Sequence, residues 1–199
     1  MIGARLGHFL DKPLAPIAKR VTVDPNLLTV TGFILNIGAA AAIPFHLRLA
    51  GILIVVGGLF DLFDGIVARA HGKTTEFGAF LDSTLDRYSD SILFLAAAWH
   101  FMVQQNVAGT ALAAGSLVGA LLISYVRARA EGLGIACTVG LMERPERLVL
   151  LALGCLTGWL FGVLVITFLL SHVTVIQRIV HVYREAGRGN SGSRRGVAG

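Results

Sequence analysis

Apolar residues in this chain recur in long runs, at roughly 27–47, 50–70, 77–103, 108–130, 147–160 and 161–183. A helix needs about 20 apolar residues to cross the hydrocarbon core of a bilayer. The runs therefore predict six membrane-spanning helices. The fifth is short, and only a weak Thr157-Gly158-Trp159 break separates it from the sixth. Residues 3–20 are patterned differently. Leu6, Phe9, Leu10, Leu14 and Ile17 interleave with Arg5, Lys12, Lys19 and Arg20, which suits a helix lying in an anionic headgroup layer, interrupted near Pro13 and Pro16. That stretch lacks an apolar core followed by a small-residue cleavage site, so no removable signal peptide is expected. The predicted fold is an all-α integral membrane protein, six transmembrane helices preceded by an N-terminal amphipathic interfacial helix. It forms one domain over residues 1–186, followed by a disordered basic tail at 187–199.

Composition agrees with this pattern. With 55% hydrophobic and 15% charged residues over 199 positions, a soluble domain is excluded. Charge then sets the orientation. With six spans, sixteen of the 17 Lys and Arg fall on one side, and Arg48 alone remains for the other. The positive-inside rule places that basic side, with both termini, in the cytoplasm of a cell (inner) membrane protein. No nucleic-acid partner is expected.

Four carboxylates interrupt the second and third runs: Asp61, Asp64, Asp82 and Asp86. Each would cost about 2.5–3.5 kcal/mol at the bilayer centre, so they call for cations. Asp61, Asp64, Gly65 and Ala68 share one helical stripe, and Asp82 and Asp86, four apart, share another. Between them, Arg69 to Gly78 carries Gly72, Lys73 and two threonines, which suits a turn, so the two helices are expected to run antiparallel with their carboxylates facing each other. Oxygen donors with no His or thiolate suit hard divalent cations. Four carboxylates balance two such ions in an arrangement suited to phosphoryl displacement, and one of the four can take a proton from an incoming hydroxyl. The competing reading is a set of helix caps and buried ion pairs with Arg69 and Arg87.

A second, basic constellation comprises Arg127 and Arg129 at the end of the fourth run, Arg144 and Arg147 around Pro145, and Arg178 near the end of the sixth. Guanidinium groups bind phosphate and stay charged when partly buried, so this set reads either as a pocket for an anionic substrate or as ordinary loop charge. Gly115-x3-Gly119 and Gly154-x3-Gly158 have small-xxx-small spacing, which serves either a seam between two copies or, more readily, packing within one chain. Cys137 and Cys155 fit no disulfide or metal pattern and read as small packed residues.

The run Asp61-x2-Asp64-Gly65-x2-Ala68-Arg69-x8-Gly78-x3-Asp82-x3-Asp86 resembles the complete signature of the CDP-alcohol phosphotransferase family, with no departure at its eight fixed positions. The likeness extends over nearly the whole chain, including the Pro25-Asn26-Leu27-Leu28-Thr29 lead-in to the first span. Three segments, 81–87, 124–129 and 143–147, look most like the branch that makes phosphatidylinositol phosphate and its archaeal ether-lipid counterpart.

This resemblance implies transfer of the phosphatidyl group of CDP-diacylglycerol, or an ether-lipid analogue, to inositol phosphate, releasing CMP. Glycerol 3-phosphate or another alcohol is the alternative acceptor; a divalent-cation transporter is the alternative of a different class. By similarity, Asp61, Asp64, Asp82 and Asp86 would hold two Mg²⁺ or Mn²⁺ ions, and Asp86 would also be the proton acceptor. Asn26, Thr29, Gly65, Ala68, Arg69, Thr75 and Gly78 would hold the CDP-lipid. Arg127, Arg144, Arg147 and Arg178 would grip the acceptor phosphate; relatives often carry Lys in place of Arg127. The family also implies a homodimer.

Overall fold

The computed structural model describes residues 24–72 and 75–195, with side chains to Gly187. Within them lie six helices, numbered in chain order: α1 (Pro25–Ala42), α2 (Leu47–Ala70), α3 (Glu76–Val103), α4 (Val107–Glu131), α5 (Arg144–Thr157) and α6 (Leu160–Arg195). The expected interfacial helix at 3–20 lies outside the described residues. Four helices, α1, α2, α4 and α6 over Leu160–Gly187, are long and apolar enough to cross a membrane. The other two fall short for different reasons. α3 carries Asp82, Asp86, Arg87 and Asp90 along its length, and α5 is only 14 residues long.

Local chemistry sets the helix ends. Asp24 caps α1, accepting the Asn26 N–H at 2.9 Å, with Pro25 in the first turn. Thr75 caps α3, its hydroxyl accepting the Gly78 N–H at 3.0 Å. The α2–α3 turn passes through Gly72 at φ +63°, a left-handed conformation that a side chain resists. α6 continues as regular helix to Arg195, past Gly187, where the sequence predicts an irregular tail.

The packed pairs are α1 with α2, α2 with α5, α5 with α6, α6 with α4, α4 with α3, and α3 with α1. Followed in that order, they close a ring. α2 and α3, although consecutive, are not among the packed pairs; α1 packs against both, and the two acidic helices face one another across the ring. One half of the ring is sealed by an apolar cluster that includes Ile43, Ile54, Leu93, Phe94, Leu151 and Leu164. The outward faces carry Ile34, Leu59, Leu95, Val118, Leu169 and Ile176, all exposed, as a lipid-facing surface requires.

The small-xxx-small positions pack within the chain. A methyl group on Gly115 would strike Phe168, and one on Gly119 would meet Ser171 and His172, so this stripe lets α4 approach α6. Gly154 faces Val163 and Leu160, while Gly158 ends α5 at φ +75°. Cys137 and Cys155 are unpaired and buried, as expected.

Candidate active site

Polar and charged side chains gather inside the ring, toward the end that carries the α2–α3 and α4–α5 connections. All six helices contribute. Asp64 is buried on α2, and its Oδ2 accepts the Thr29 hydroxyl of α1 at 2.6 Å. Asp82 and Asp86 stand on α3, and the four carboxylates repel one another through Asp61–Asp64, Asp61–Asp82, Asp61–Asp86, Asp64–Asp82 and Asp82–Asp86 pairs. That mutual repulsion is relieved chiefly by one guanidinium, with Arg87 Nη1 standing 3.9 Å from Asp86 Oδ2 beside it. Arg144, the first residue of α5, places Nη2 at 2.7 Å from Asp61 Oδ2 and Nη1 at 2.8 Å from Asp86 Oδ1. It thereby bridges α2 and α3 across the ring.

α1 reaches this centre closely. A methyl group added to Gly32 would collide with the Asp61 carboxylate, so only glycine lets α1 pass there. Among the described residues, no three His, Cys, Asp or Glu side chains close on one point. Like charges converge only around a cation, and in this arrangement Arg144 holds Asp61 and Asp86 apart on its two nitrogens. The donor set itself, four carboxylates, suits a hard divalent ion, whose charge would replace or supplement that of Arg144.

Two cavities flank the carboxylates. One, of about 190 Å³, is lined by Asn26, Thr29, Gly65, Ala68, Arg69, Thr75 and Gly78, with Asp64 and Asp82 in its wall. These seven are the residues that the family resemblance ties to the CDP-lipid. Within the set, Thr75 and Gly78 also build the helix start, and a methyl group on Gly78 would press on Asn26 Oδ1 at 3.2 Å and Thr75 Oγ1 at 2.9 Å. The Arg69 guanidinium folds back beside Gly65.

The second cavity, of about 310 Å³, lies on the other side and includes Asp86, Arg87, Asp90, Ser124, Arg127, Glu143, Arg144, Arg147 and Arg178. Its five arginines outnumber its three carboxylates, so it favours an anion. All four expected acceptor arginines line it, but they are not equivalent. Arg178 is buried with Nε donating to the Val139 carbonyl at 2.9 Å and Nη1 to the Ile123 carbonyl at 2.6 Å, which braces the 132–143 connection against α4 and α6. Arg127 pairs with Glu131 at 2.9 Å on an exposed turn. Arg147, 2% exposed, uses Nη2 on Asp90 at 2.7 Å and leaves Nε and Nη1 without a hydrogen-bond partner.

Asp90 is the residue that sequence reasoning passed over. It lies four residues beyond Asp86, as Asp86 lies four beyond Asp82, so the helical spacing used for the first two already placed it on the same stripe. Ser124 and Glu143, also in this cavity, fell within segments likened to the inositol-phosphate branch without being singled out.

Known proteins resemble this chain in sequence and in fold. The family model described as CDP-alcohol phosphatidyltransferase matches residues 22–183. Archaetidylinositol phosphate synthase of Methanothermobacter thermautotrophicus is 36% identical over 184 residues, covering 89% of this chain and 90% of that protein. Phosphatidylinositol phosphate synthase of Corynebacterium glutamicum is 41% identical over 162 residues, covering 78% of this chain and 74% of that one. The crystal structure of Mycobacterium tuberculosis phosphatidylinositol phosphate synthase with CDP-DAG bound superposes with a TM-score of 0.76 at 30% identity, over 87% of this chain and 93% of that one. The same enzyme in complex with manganese and citrate gives a TM-score of 0.77 over 87% of this chain and 88% of that one. This chain belongs to the CDP-alcohol phosphatidyltransferase family.

Proposed function

We propose that this protein is a membrane phospholipid synthase that transfers the phosphatidyl group of CDP-diacylglycerol to inositol phosphate, giving phosphatidylinositol phosphate and CMP. The observation that carries this reading is the sorting of two residue sets into two cavities with a carboxylate group between them. A nucleotide-lipid fits the side lined by small residues and open to α1. A phosphorylated alcohol fits the arginine-rich side. Among the similar proteins, one is solved with CDP-DAG, and several are named for inositol phosphate products.

In this mechanism the acceptor hydroxyl oxygen attacks the lipid-side phosphorus of the diphosphate. A new P–O bond forms as the bond to CMP breaks, and the hydroxyl proton passes to Asp86, which lines the acceptor cavity. Thr29 holds Asp64 in place. Arg144 and Arg147 fix the acceptor phosphate, converting a bimolecular encounter into an oriented one. Asp61, Asp64, Asp82 and Asp86 would hold divalent cations, two Mg²⁺ or Mn²⁺ in our reading, which supply charge neutralisation for the diphosphate and the departing CMP.

The same reading places six spans in the membrane, with α3 and α5 crossing it as members of the ring whose charged residues line its inside, and the charged end with both termini in the cytoplasm. A homodimer belongs to the proposal through the family. The test is turnover of CDP-diacylglycerol by purified protein with Mg²⁺ or Mn²⁺ and a panel of acceptors. Product with inositol phosphate supports the reading. Product with glycerol 3-phosphate alone overturns the acceptor and leaves the reaction class intact, and metal flux in liposomes without CDP-lipid would favour a transporter.

A further inference from the structure

Half of the buried side-chain atoms that lack a hydrogen-bond partner among the described residues lie on one wall of the arginine-rich cavity: Asp90 Oδ1, Arg144 Nε, Arg147 Nε and Arg147 Nη1. Buried polar atoms are rarely left unsatisfied, so four in one place point to a ligand. Asp90 is at the centre of this wall. It is 4% exposed, its Oδ2 accepts Arg147 Nη2 at 2.7 Å, and its Oδ1 stands 3.9 Å from Arg144 Nε, too far for a hydrogen bond.

A carboxylate at the base of an anion-binding cavity is paradoxical on charge alone, because it repels the phosphate. Its geometry resolves the paradox. Arg147 has no other hydrogen-bond partner, and a guanidinium on a long side chain points in one direction only when something fixes it. We infer that Asp90 is a positioning residue for the acceptor, holding Arg147 through one nitrogen so that the others face the incoming phosphate. This inference rests on the assignment of the arginine-rich cavity to a phosphorylated acceptor.

The two roles for Asp90 predict opposite signs. As a mere negative charge, its removal would tighten acceptor binding; as a positioning residue, its removal weakens it. The experiment uses the full chain in nanodiscs, with KM for acceptor and for CDP-diacylglycerol measured separately, and acceptor affinity by calorimetry. Asp90→Asn is expected to raise the acceptor KM about tenfold, the worth of one charge-assisted hydrogen bond, and to leave the CDP-lipid KM within about twofold. In an Arg147→Ala background the same change should add less than about twofold, since its effect passes through Arg147.

Asp90→Glu, which keeps the charge on a longer stem, should fall between wild type and Asp90→Asn, and it decides by the same KM split if the Asn variant fails to fold. An unchanged or lowered acceptor KM, equal changes in both KM values, or an undiminished effect in the Arg147→Ala background would each overturn the inference. If wild-type protein turns over glycerol 3-phosphate but not inositol phosphate, the acceptor reading fails on its own. The Asp90 test then proceeds with the acceptor that works.

Discussion

Replacing Arg144 by Ala tests the electrostatic logic of the site directly. Arg144 contacts Asp61 at 2.7 Å and Asp86 at 2.8 Å, with side-chain exposures of 18%, 11% and 18% respectively. Removing one member of a buried charge group costs about 3–5 kcal/mol, and partial exposure points to the lower end, about 3 kcal/mol. For a chain of this length that corresponds to roughly 6–12 °C in Tm. The loss is expected in full in chelator, where no other cation relieves the repulsion among Asp61, Asp64, Asp82 and Asp86. With Mn²⁺ at about 100 times its Kd, binding contributes about 2.7 kcal/mol to the native state, and bound charge substitutes for part of what Arg144 supplied. Thermal unfolding in detergent, with and without Mn²⁺, should therefore show a larger metal-induced Tm rise in Arg144→Ala than in wild type. Equal rises in the two proteins, or no deficit in chelator, would refute the idea that a guanidinium and divalent cations serve the same carboxylates.

The remaining expectations are narrower. Asp86→Asn should keep Mn²⁺ binding largely intact and abolish turnover, whereas Asp61→Asn should weaken both; electron paramagnetic resonance of bound Mn²⁺ alongside the transferase assay separates them, and near-normal rates in either variant would contradict the proposed roles of these two carboxylates. Arg147→Ala should raise the acceptor KM far more than the CDP-lipid KM, and equal effects would reduce Arg147 to a structural charge. Thr29→Val removes a buried hydrogen bond to a carboxylate at 2.6 Å, costing about 2 kcal/mol, read as roughly 4–8 °C in Tm. Gly51→Val would drive a side chain into Leu156 Cγ, only 2.7 Å from the position of an added Cβ, and against the Ala152 carbonyl at 3.0 Å. It should destabilise the α2–α5 contact by about 1–3 kcal/mol without altering the ratio of the two KM values.

The carboxylate stripes were legible because helical spacing alone puts Asp61 with Asp64 and Asp82 with Asp86 on shared faces. The same arithmetic reaches Asp90, which escaped notice because the family signature ends one turn earlier. Arg178 shows the opposite limit. It lines the arginine-rich cavity as expected, but that its Nε and Nη1 also brace the Val139 and Ile123 carbonyls is written in no linear pattern, because none reports which acceptor a guanidinium will meet.

By itself, the amino-acid sequence determined the helical runs, the charge asymmetry, the signature carboxylates and the family, because each depends on local composition or on spacing within one element. Tertiary structure alone decided that α1 rather than α3 packs beside α2, that Gly115 and Gly119 serve α4–α6 contact within the chain, and that Arg144 spans the gap between two acidic helices. Those outcomes depend on contacts between residues as far apart as Asp61 and Arg144. Shape and charge select such contacts only once all six helices compete for the same neighbours.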